Sequence, residues 1–229
     1  VVPAKFGGGV LGIGAGLALG REGPTVQMGA AIGVRLARFA RVDGHDLRTM
    51  AASLAGAGLG VAFSAPLGGA AFVFEEVSRA FRTRLVVVTL LGCGSALAVA
   101  QLIVGRQPVF DVPPLEPQGI LLLPAFVLLG ALLGVVGVLY NRLIVLLLDL
   151  FERIRRIPPE VSAGVVGAAV GLLGVVAPSL IGGGDQLNEE LLIAGVGLST
   201  LFLAVLVRLL LGPLSYSLGT PGGLFAPLL

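Results

Sequence analysis

The chain has 229 residues, of which 56% are hydrophobic and 12% charged, and its mean hydropathy is +1.02. Soluble domains contain about 25% charged residues, so this sequence lacks the polar surface that a water-soluble protein of its length needs. The composition predicts an integral membrane protein that crosses the bilayer several times.

The net charge of +2 comes without a basic run interleaved with aromatic residues, and Trp is absent, so nucleic acid is not an expected partner. Cys93 is the single cysteine and His45 the single histidine. This excludes an internal disulfide and multi-histidine metal sites, and it argues against a Ser-His hydrolase. We therefore expect no metal, no cofactor and no enzymatic activity.

The two ends of the sequence resemble cuts in a longer chain. The N-terminus, Val1-Val2-Pro3, has no initiator Met and no signal-peptide pattern, and the C-terminus follows directly on a glycine-rich segment. We expect the chain to be part of a longer protein.

The first apolar segment has glycine at every fourth position and ends in a charged motif. The glycines are Gly8, Gly12, Gly16 and Gly20, a spacing that lets helix backbones approach closely in lipid. Residues 20–24 (GREGP) follow, and Pro24 predicts the first position of a new helix. The free amides of residues 21–23 would then bind an anion at a helix N-terminus, and Glu22 could itself occupy that site. The alternative is a capped turn with Glu22 at the surface.

Residues 49–78 connect two groups of arginines, at residues 35–48 and 79–84. If both groups lie on the same side of the membrane, the chain leaves that side and returns to it within 30 residues. Ser64 and Pro66 predict a break, with Ser64 as the cap and Pro66 in the first turn of the next helix. We therefore expect two short helices in a hairpin, a pattern that lipid allows only where protein or a watery cavity covers the exposed backbone. The second helix ends in Glu75 and Glu76, which could also be two solvated charges.

Residues 85–105 are long enough to cross the bilayer, and residues 119–148 are longer and should tilt. Arginines concentrate at residues 35–48, 79–84 and 142–156. In contrast, residues 106–118 contain two acidic residues against one Arg, and residues 182–190 contain three acidic residues and no basic one. The positive-inside rule predicts that the three arginine groups are cytoplasmic and the two acidic loops external.

A second glycine-rich break occupies residues 218–227 (LGTPGGLFAP), about 200 residues after the first. Gly222 and Gly223 let the backbone bend so that the amides of Leu224 and Phe225 are presented. Two similar breaks in separate halves are typical of inverted-repeat transporters with a binding site at the shared midplane.

Together, these segments resemble the CLC family of chloride channels and chloride/proton antiporters. The matching residues are 20–24, 62–76 with its final glutamate pair, and 222–227, and residues 3–6 resemble the entry to the preceding helix. The resemblance covers essentially the whole chain, in order. It implies an all-α, polytopic membrane protein with tilted and broken helices and inverted-repeat architecture. Residues 1–229 would then be one transmembrane domain without the first and last helices of the family fold.

The resemblance also implies site residues and partners. Glu22 is expected to be the gating glutamate that competes with chloride and carries a proton. The amides around Arg21, Glu22 and Gly23, and those of Leu224 and Phe225, are expected to bind the anion. The partners implied are chloride and other small anions, protons, the lipid bilayer and a second copy of the chain in a homodimer, in a bacterial inner (plasma) membrane. Each subunit is expected to have its own anion pathway.

Glu76, the second of the pair, is implied to be the internal proton-transfer glutamate. Channels of the family usually lack a carboxylate there, so Glu76 favours an antiporter over an uncoupled chloride channel, which is the main alternative. Two motifs of the family are missing: the upstream serine loop that contacts the central anion, and the downstream tyrosine on the inner side. Selectivity for chloride is therefore implied by the resemblance and not read from this sequence.

Overall fold

A computed structural model describes residues 1–42, 44–106, 119–153, 158–184, 187–188, 191 and 197–228. Among these residues the secondary structure is helical, and the one β-bridge joins Gly20 to Gly223. The α-helices are α1 (Val2–Gly14), α2 (Glu22–Phe39), α3 (Gly44–Ala62), α4 (Pro66–Phe72), α5 (Thr83–Val104), α6 (Leu123–Arg153), α7 (Pro159–Val176), α8 (Leu198–Ser217) and α9 (Phe225–Leu228). A π-helical turn over Val73–Val77 continues α4, and 3-10 turns occupy Ile120–Leu122 and Pro178–Leu180.

Within the described part of the chain, three helical segments are long and apolar enough to cross a membrane: Thr83–Val104, Ile120–Arg153 and Leu198–Ser217. The first two confirm the spans predicted at residues 85–105 and 119–148. The third was not singled out in the sequence. The all-α, polytopic prediction is confirmed, and the described helices include both long apolar ones and the short α4.

The described residues form two compact units. The first comprises Val1–Gly14, Gly20–Val109 and Pro221–Ala226, and its centre is the packing of α3 against α2, α4 and α5. Its buried apolar cluster includes Ala57, Ala70, Val73, Phe74 and Leu85.

Small residues let the helices of this unit approach closely. A Cβ on Gly33 of α2 would lie 2.6 Å from the Met50 carbonyl oxygen of α3, and one on Gly56 would lie 2.6 Å from the Gly69 carbonyl oxygen of α4. Gly33 and Gly56 therefore stand where two helix backbones meet. The stripe that begins at Gly8, however, does not run along a single helix, because α1 ends at Gly14 and Gly16 and Gly20 lie beyond it.

The predicted break between α3 and α4 is present, but its chemistry differs from the prediction. Ser64 is exposed with φ of +52°, and the N-cap is Ala65, without a side-chain hydrogen bond. Pro66 occupies the first turn as expected. The first helix of the predicted hairpin is also longer than expected, since α3 has 19 residues and begins at Gly44. The prediction of two short helices is therefore correct only for the second, α4.

The second unit comprises Ala15–Leu19, Phe110–Thr220 and Pro227–Leu229, and α6 packs against α8 within it. The buried Ser215 hydroxyl accepts a hydrogen bond from the Ala18 amide at 3.1 Å. The Arg208 guanidinium lies 3.4 Å from the carbonyl oxygens of Leu180 and Gly182, to which it donates. Side chains of α8 therefore bind the backbone of residues 18, 180 and 182, which lie outside the α-helices.

Candidate functional site

The candidate site begins at the N-terminus of α2. Arg21 is the N-cap residue and Glu22 the first helical residue, so the helix starts two residues earlier than Pro24 predicted. The first N–H to bond back within this helix is that of Thr25, which donates to the Arg21 carbonyl at 3.1 Å. The amides of residues 21–23 therefore belong to the part of the helix that has no carbonyl partner within it. This is the arrangement that the sequence predicted for an anion site, although its boundary differs.

The second glycine-rich segment lies directly against the first. The Gly20 amide donates to the Gly223 carbonyl at 2.8 Å, and the Gly223 amide donates to the Gly20 carbonyl at 2.9 Å. This pair of bonds forms the antiparallel bridge between the two residues. The sequence suggested two similar breaks, but nothing in it indicated that their backbones pair. The bridge brings residues 20–24 and 222–225 into one site.

Glu22 is the charged group at the centre of this site. It is 6% exposed, and its Oε1 accepts a hydrogen bond from the Phe225 amide at 2.8 Å. A buried carboxylate needs such donors, because taking an ionised group out of water is costly. The alternative of a surface-exposed Glu22 is wrong.

Glycines enclose the Glu22 carboxylate. A Cβ on Gly20 or Gly223 would collide with Glu22 carboxylate atoms. One on Gly23 would lie 2.7 Å from the Gly222 carbonyl oxygen, a backbone atom. Gly20 and Gly223 therefore leave the space that the carboxylate fills, whereas Gly23 permits the close approach of the two backbones.

The remaining predicted site residues lie around this carboxylate with different exposure. Leu224 precedes the amide that binds Glu22 and is half-buried, while the Arg21 side chain is exposed and makes no cap bond. The ring of Phe225 packs edge-on against that of Phe63, with centroids 5.0 Å apart. Sequence reasoning missed Phe63. The only available signal was its position immediately before the predicted break.

Glu75 and Glu76 lie in the π-helical turn Val73–Val77, and both are exposed. Short π-helical turns occur frequently at functional sites, and this one was not predicted from sequence. Among the described residues, neither carboxylate forms an ion pair, and the pair of Arg84 is Asp46 at 2.9 Å. Burial therefore does not distinguish Glu75 from Glu76.

The chain is similar to known proteins over its whole length. The family model described as voltage gated chloride channel matches residues 1–229. Relatives named H(+)/Cl(-) exchange transporter ClcA include one from Vibrio cholerae, 40% identical over the whole chain, and one from Citrobacter koseri, 36% identical. The chain covers 50% of each, so it spans about half the length of these relatives.

Solved structures show the same relationship. A slow cyanobacterial Cl-/H+ antiporter matches with a TM-score of 0.89 and 34% identity, over 99% of this chain and 54% of that one. A CLC-type fluoride/proton antiporter shares the fold, with a TM-score of 0.74 at 24% identity over 93% of this chain and 53% of that one. The Vibrio and Citrobacter relatives are named exchange transporters, and the cyanobacterial structure is described as an antiporter. The chain belongs to the voltage-gated chloride channel family, the CLC proteins.

Proposed function

We propose that this chain forms part of a secondary transporter that exchanges chloride for protons across a bacterial inner membrane. The observation that carries the proposal is the hydrogen bond between the buried Glu22 carboxylate and the Phe225 amide at 2.8 Å. A backbone N–H held at this position can bind either a carboxylate oxygen or a chloride ion, but not both at once.

In this proposal the anion ligands are the amides of residues 21–23 together with those of Leu224 and Phe225. The N–H groups at the start of α2, which have no carbonyl partner within the helix, and the positive end of its dipole favour an anion. The bridge between Gly20 and Gly223 supports the assignment, because it pairs the two glycine-rich segments that carry these amides. The amides supply partial positive charge without a formal cation, which allows an anion to bind and leave.

Glu22 then acts as gate and proton carrier. Ionised, it accepts the Phe225 N–H and excludes chloride from that donor. When chloride displaces it, the carboxylate loses a donor in a buried environment, and taking up a proton removes the cost of its charge. Return of the side chain to the amide requires release of that proton, so anion and proton movement are linked in opposite directions.

Glu76 is proposed as the inner proton-transfer residue. It lies at the exposed π-helical turn that continues α4, apart from the glycine segments that hold Glu22. A carboxylate at such a position exchanges protons with water. Its resemblance to the family glutamate selects it over Glu75.

We further propose that residues 1–229 belong to a single transmembrane domain and that two copies of the complete protein form a homodimer, each with its own pathway. The identity to exchangers named H(+)/Cl(-) transporters supports the substrate pair.

The test is flux through the full-length protein in liposomes. An outward chloride gradient should drive proton uptake against a proton gradient, with the membrane potential clamped near zero. Chloride efflux without proton movement would show an uncoupled channel and contradict the proposal.

A further inference from the structure

A cavity of about 490 Å³ lies among α2, α3 and the segment that leads from the π-helical turn into α5. Its walls are mainly small or apolar and include Ala30, Ala52, Ala55, Val77 and Leu85. Its volume falls within the range of about 300–1,000 Å³ that is typical of small-molecule sites. The cavity contains none of the residues assigned to chloride or proton transfer above.

Basic side chains also line this cavity. They are His45 and Arg48 on α3 and Arg82 just before α5. Arg82 Nη1 is hydrogen-bonded to His45 Nε2. Since a guanidinium can only donate, the ring nitrogen that faces it is the acceptor.

The two guanidinium charges in the lining are not neutralised by the described carboxylates. Asp46 is engaged with Arg84 at 2.9 Å, and its other close group is His45 Nδ1 at 3.8 Å. Within the described part of the chain, Arg48 and Arg82 form no ion pair, and neither do the neighbouring exposed Glu75 and Glu76. The same cavity is therefore lined by apolar walls and by two guanidinium groups that have no ion-pair partner among the described residues.

The occupant that this combination fits is an amphipathic anion. A free phosphate would contact the arginines but leave the apolar walls unused, and an uncharged lipid would leave the arginines unpaired. Basic pockets between membrane helices on the cytoplasmic side bind the headgroups of anionic lipids, and Arg48 and Arg82 belong to arginine groups that the positive-inside rule assigns to that side.

We propose that this cavity binds an anionic phospholipid of the inner leaflet. Arg48 and Arg82 contact its phosphate, and the walls formed by Ala52, Ala55 and Leu85 contact the glycerol and the first acyl carbons.

The experiment uses the full-length protein in nanodiscs of phosphatidylcholine with increasing phosphatidylglycerol. Lipid that stays bound after transfer to detergent is counted by native mass spectrometry. The test variant is Arg48→Gln with Arg82→Gln. The matched control is Arg35→Gln with Arg38→Gln, which removes the same charge from exposed residues of α2 that do not line the cavity.

The expected result is retention of phosphatidylglycerol weakened about tenfold or more for each cavity arginine removed, since each loses a charge-assisted hydrogen bond to the lipid phosphate. The control loses only general surface attraction and should weaken retention by a clearly smaller factor. Equal loss in both variants would indicate general surface charge and overturn the proposal, as would no loss in either.

A single variant and a competition with phosphate complete the experiment. Arg48→Gln alone changes a single exposed side chain, so the protein should still fold. This single variant tests the site if the double variant does not fold. Millimolar inorganic phosphate should not displace the bound lipid. Displacement would identify free phosphate as the ligand and contradict the lipid assignment.

Discussion

Glu22 and Phe225, 203 positions apart in the chain, are joined by a 2.8 Å hydrogen bond from the Phe225 amide to Glu22 Oε1. The contact joins the first residue of α2 to the first residue of α9. A charge-assisted bond of this kind is worth about 1.5–3 kcal/mol, so an anion that takes the amide must offer a comparable interaction. The competition that we propose between Glu22 and chloride would take place at this one donor.

Gly20→Ala should displace the Glu22 carboxylate while leaving the backbone in place. The new Cβ would collide with the end of the Glu22 side chain, which is flexible, and not with backbone atoms. Losing the Phe225 bond should lower occupancy of the amide by Glu22 about tenfold to a hundredfold. In liposomes, chloride flux should rise and proton coupling should fall.

Gly7→Ala is the control for that change, because a Cβ on Gly7 of α1 meets no atom within 4 Å. It should leave both fluxes as they are. If Gly20→Ala transports both ions as the unmodified protein does, the glycine does not set the position of Glu22.

Glu76→Gln should abolish proton flux while chloride flux continues. The amide cannot take up or release a proton, but the residue lies outside the glycine segments that hold the anion. Glu75→Gln is the matched control, since Glu75 is equally exposed in the same π-helical turn. Equal loss of both ions in Glu76→Gln would contradict separate pathways, and selective loss in Glu75→Gln would assign the role to the neighbouring residue.

Ser53→Ala should destabilise the contact between α3 and α5. Ser53 and Thr89 are both fully buried, and their hydroxyls are 2.8 Å apart. Removing one partner leaves the other hydroxyl buried alone, at a cost of about 0.6–1.7 kcal/mol for a bond between membrane helices. Unfolding of the full-length protein in denaturant measures this change.

Adding Thr89→Val to Ser53→Ala should recover most of that loss, because both polar groups are then gone. Ser95→Ala provides the control, since the exposed Ser95 hydroxyl bonds to its own helix at Gly92. A double variant that is less stable than Ser53→Ala would show that the pair contributes mainly through packing.

The two ends of α5 should face opposite sides of the membrane. Its 22 residues rise about 33 Å, and the arginine groups predict that residue 82 is cytoplasmic. After replacement of Cys93, a cysteine at position 106 should be labelled by an impermeant reagent outside intact cells and one at position 82 should not. The reverse pattern would show the opposite orientation.

Much of this fold could be predicted from composition and local pattern. Apolar length was sufficient for the spans at Thr83–Val104 and Ile120–Arg153, and Pro66 marked the start of α4. Element boundaries were less accurate: Pro24 predicted the start of α2, but the helix begins at Glu22 because Arg21 and Glu22 already adopt helical backbone angles there.

The sequence indicated which residues could form the candidate site, but it did not indicate which of them contact each other. The motif around Glu22 indicated a carboxylate at an anion site, yet the backbone pairing of Gly20 with Gly223 depends on segments about 200 residues apart. The Phe63 contact with Phe225 likewise joins residues far apart in the chain, and the π-helical turn at Glu75 and Glu76 was not predicted. The acidic loops at Asp111 and at Asp185–Glu190, predicted to be external, include residues outside the described part of the chain.

The central claim is that Glu22 both blocks the anion and carries the proton. Its most direct test is simultaneous measurement of chloride and proton flux by full-length Glu22→Gln in liposomes under a chloride gradient. We predict that chloride passes while gradient-driven proton uptake falls about a hundredfold or more, the scale of losing a proton-transfer group. Proton uptake at the rate of the unmodified protein would contradict the account.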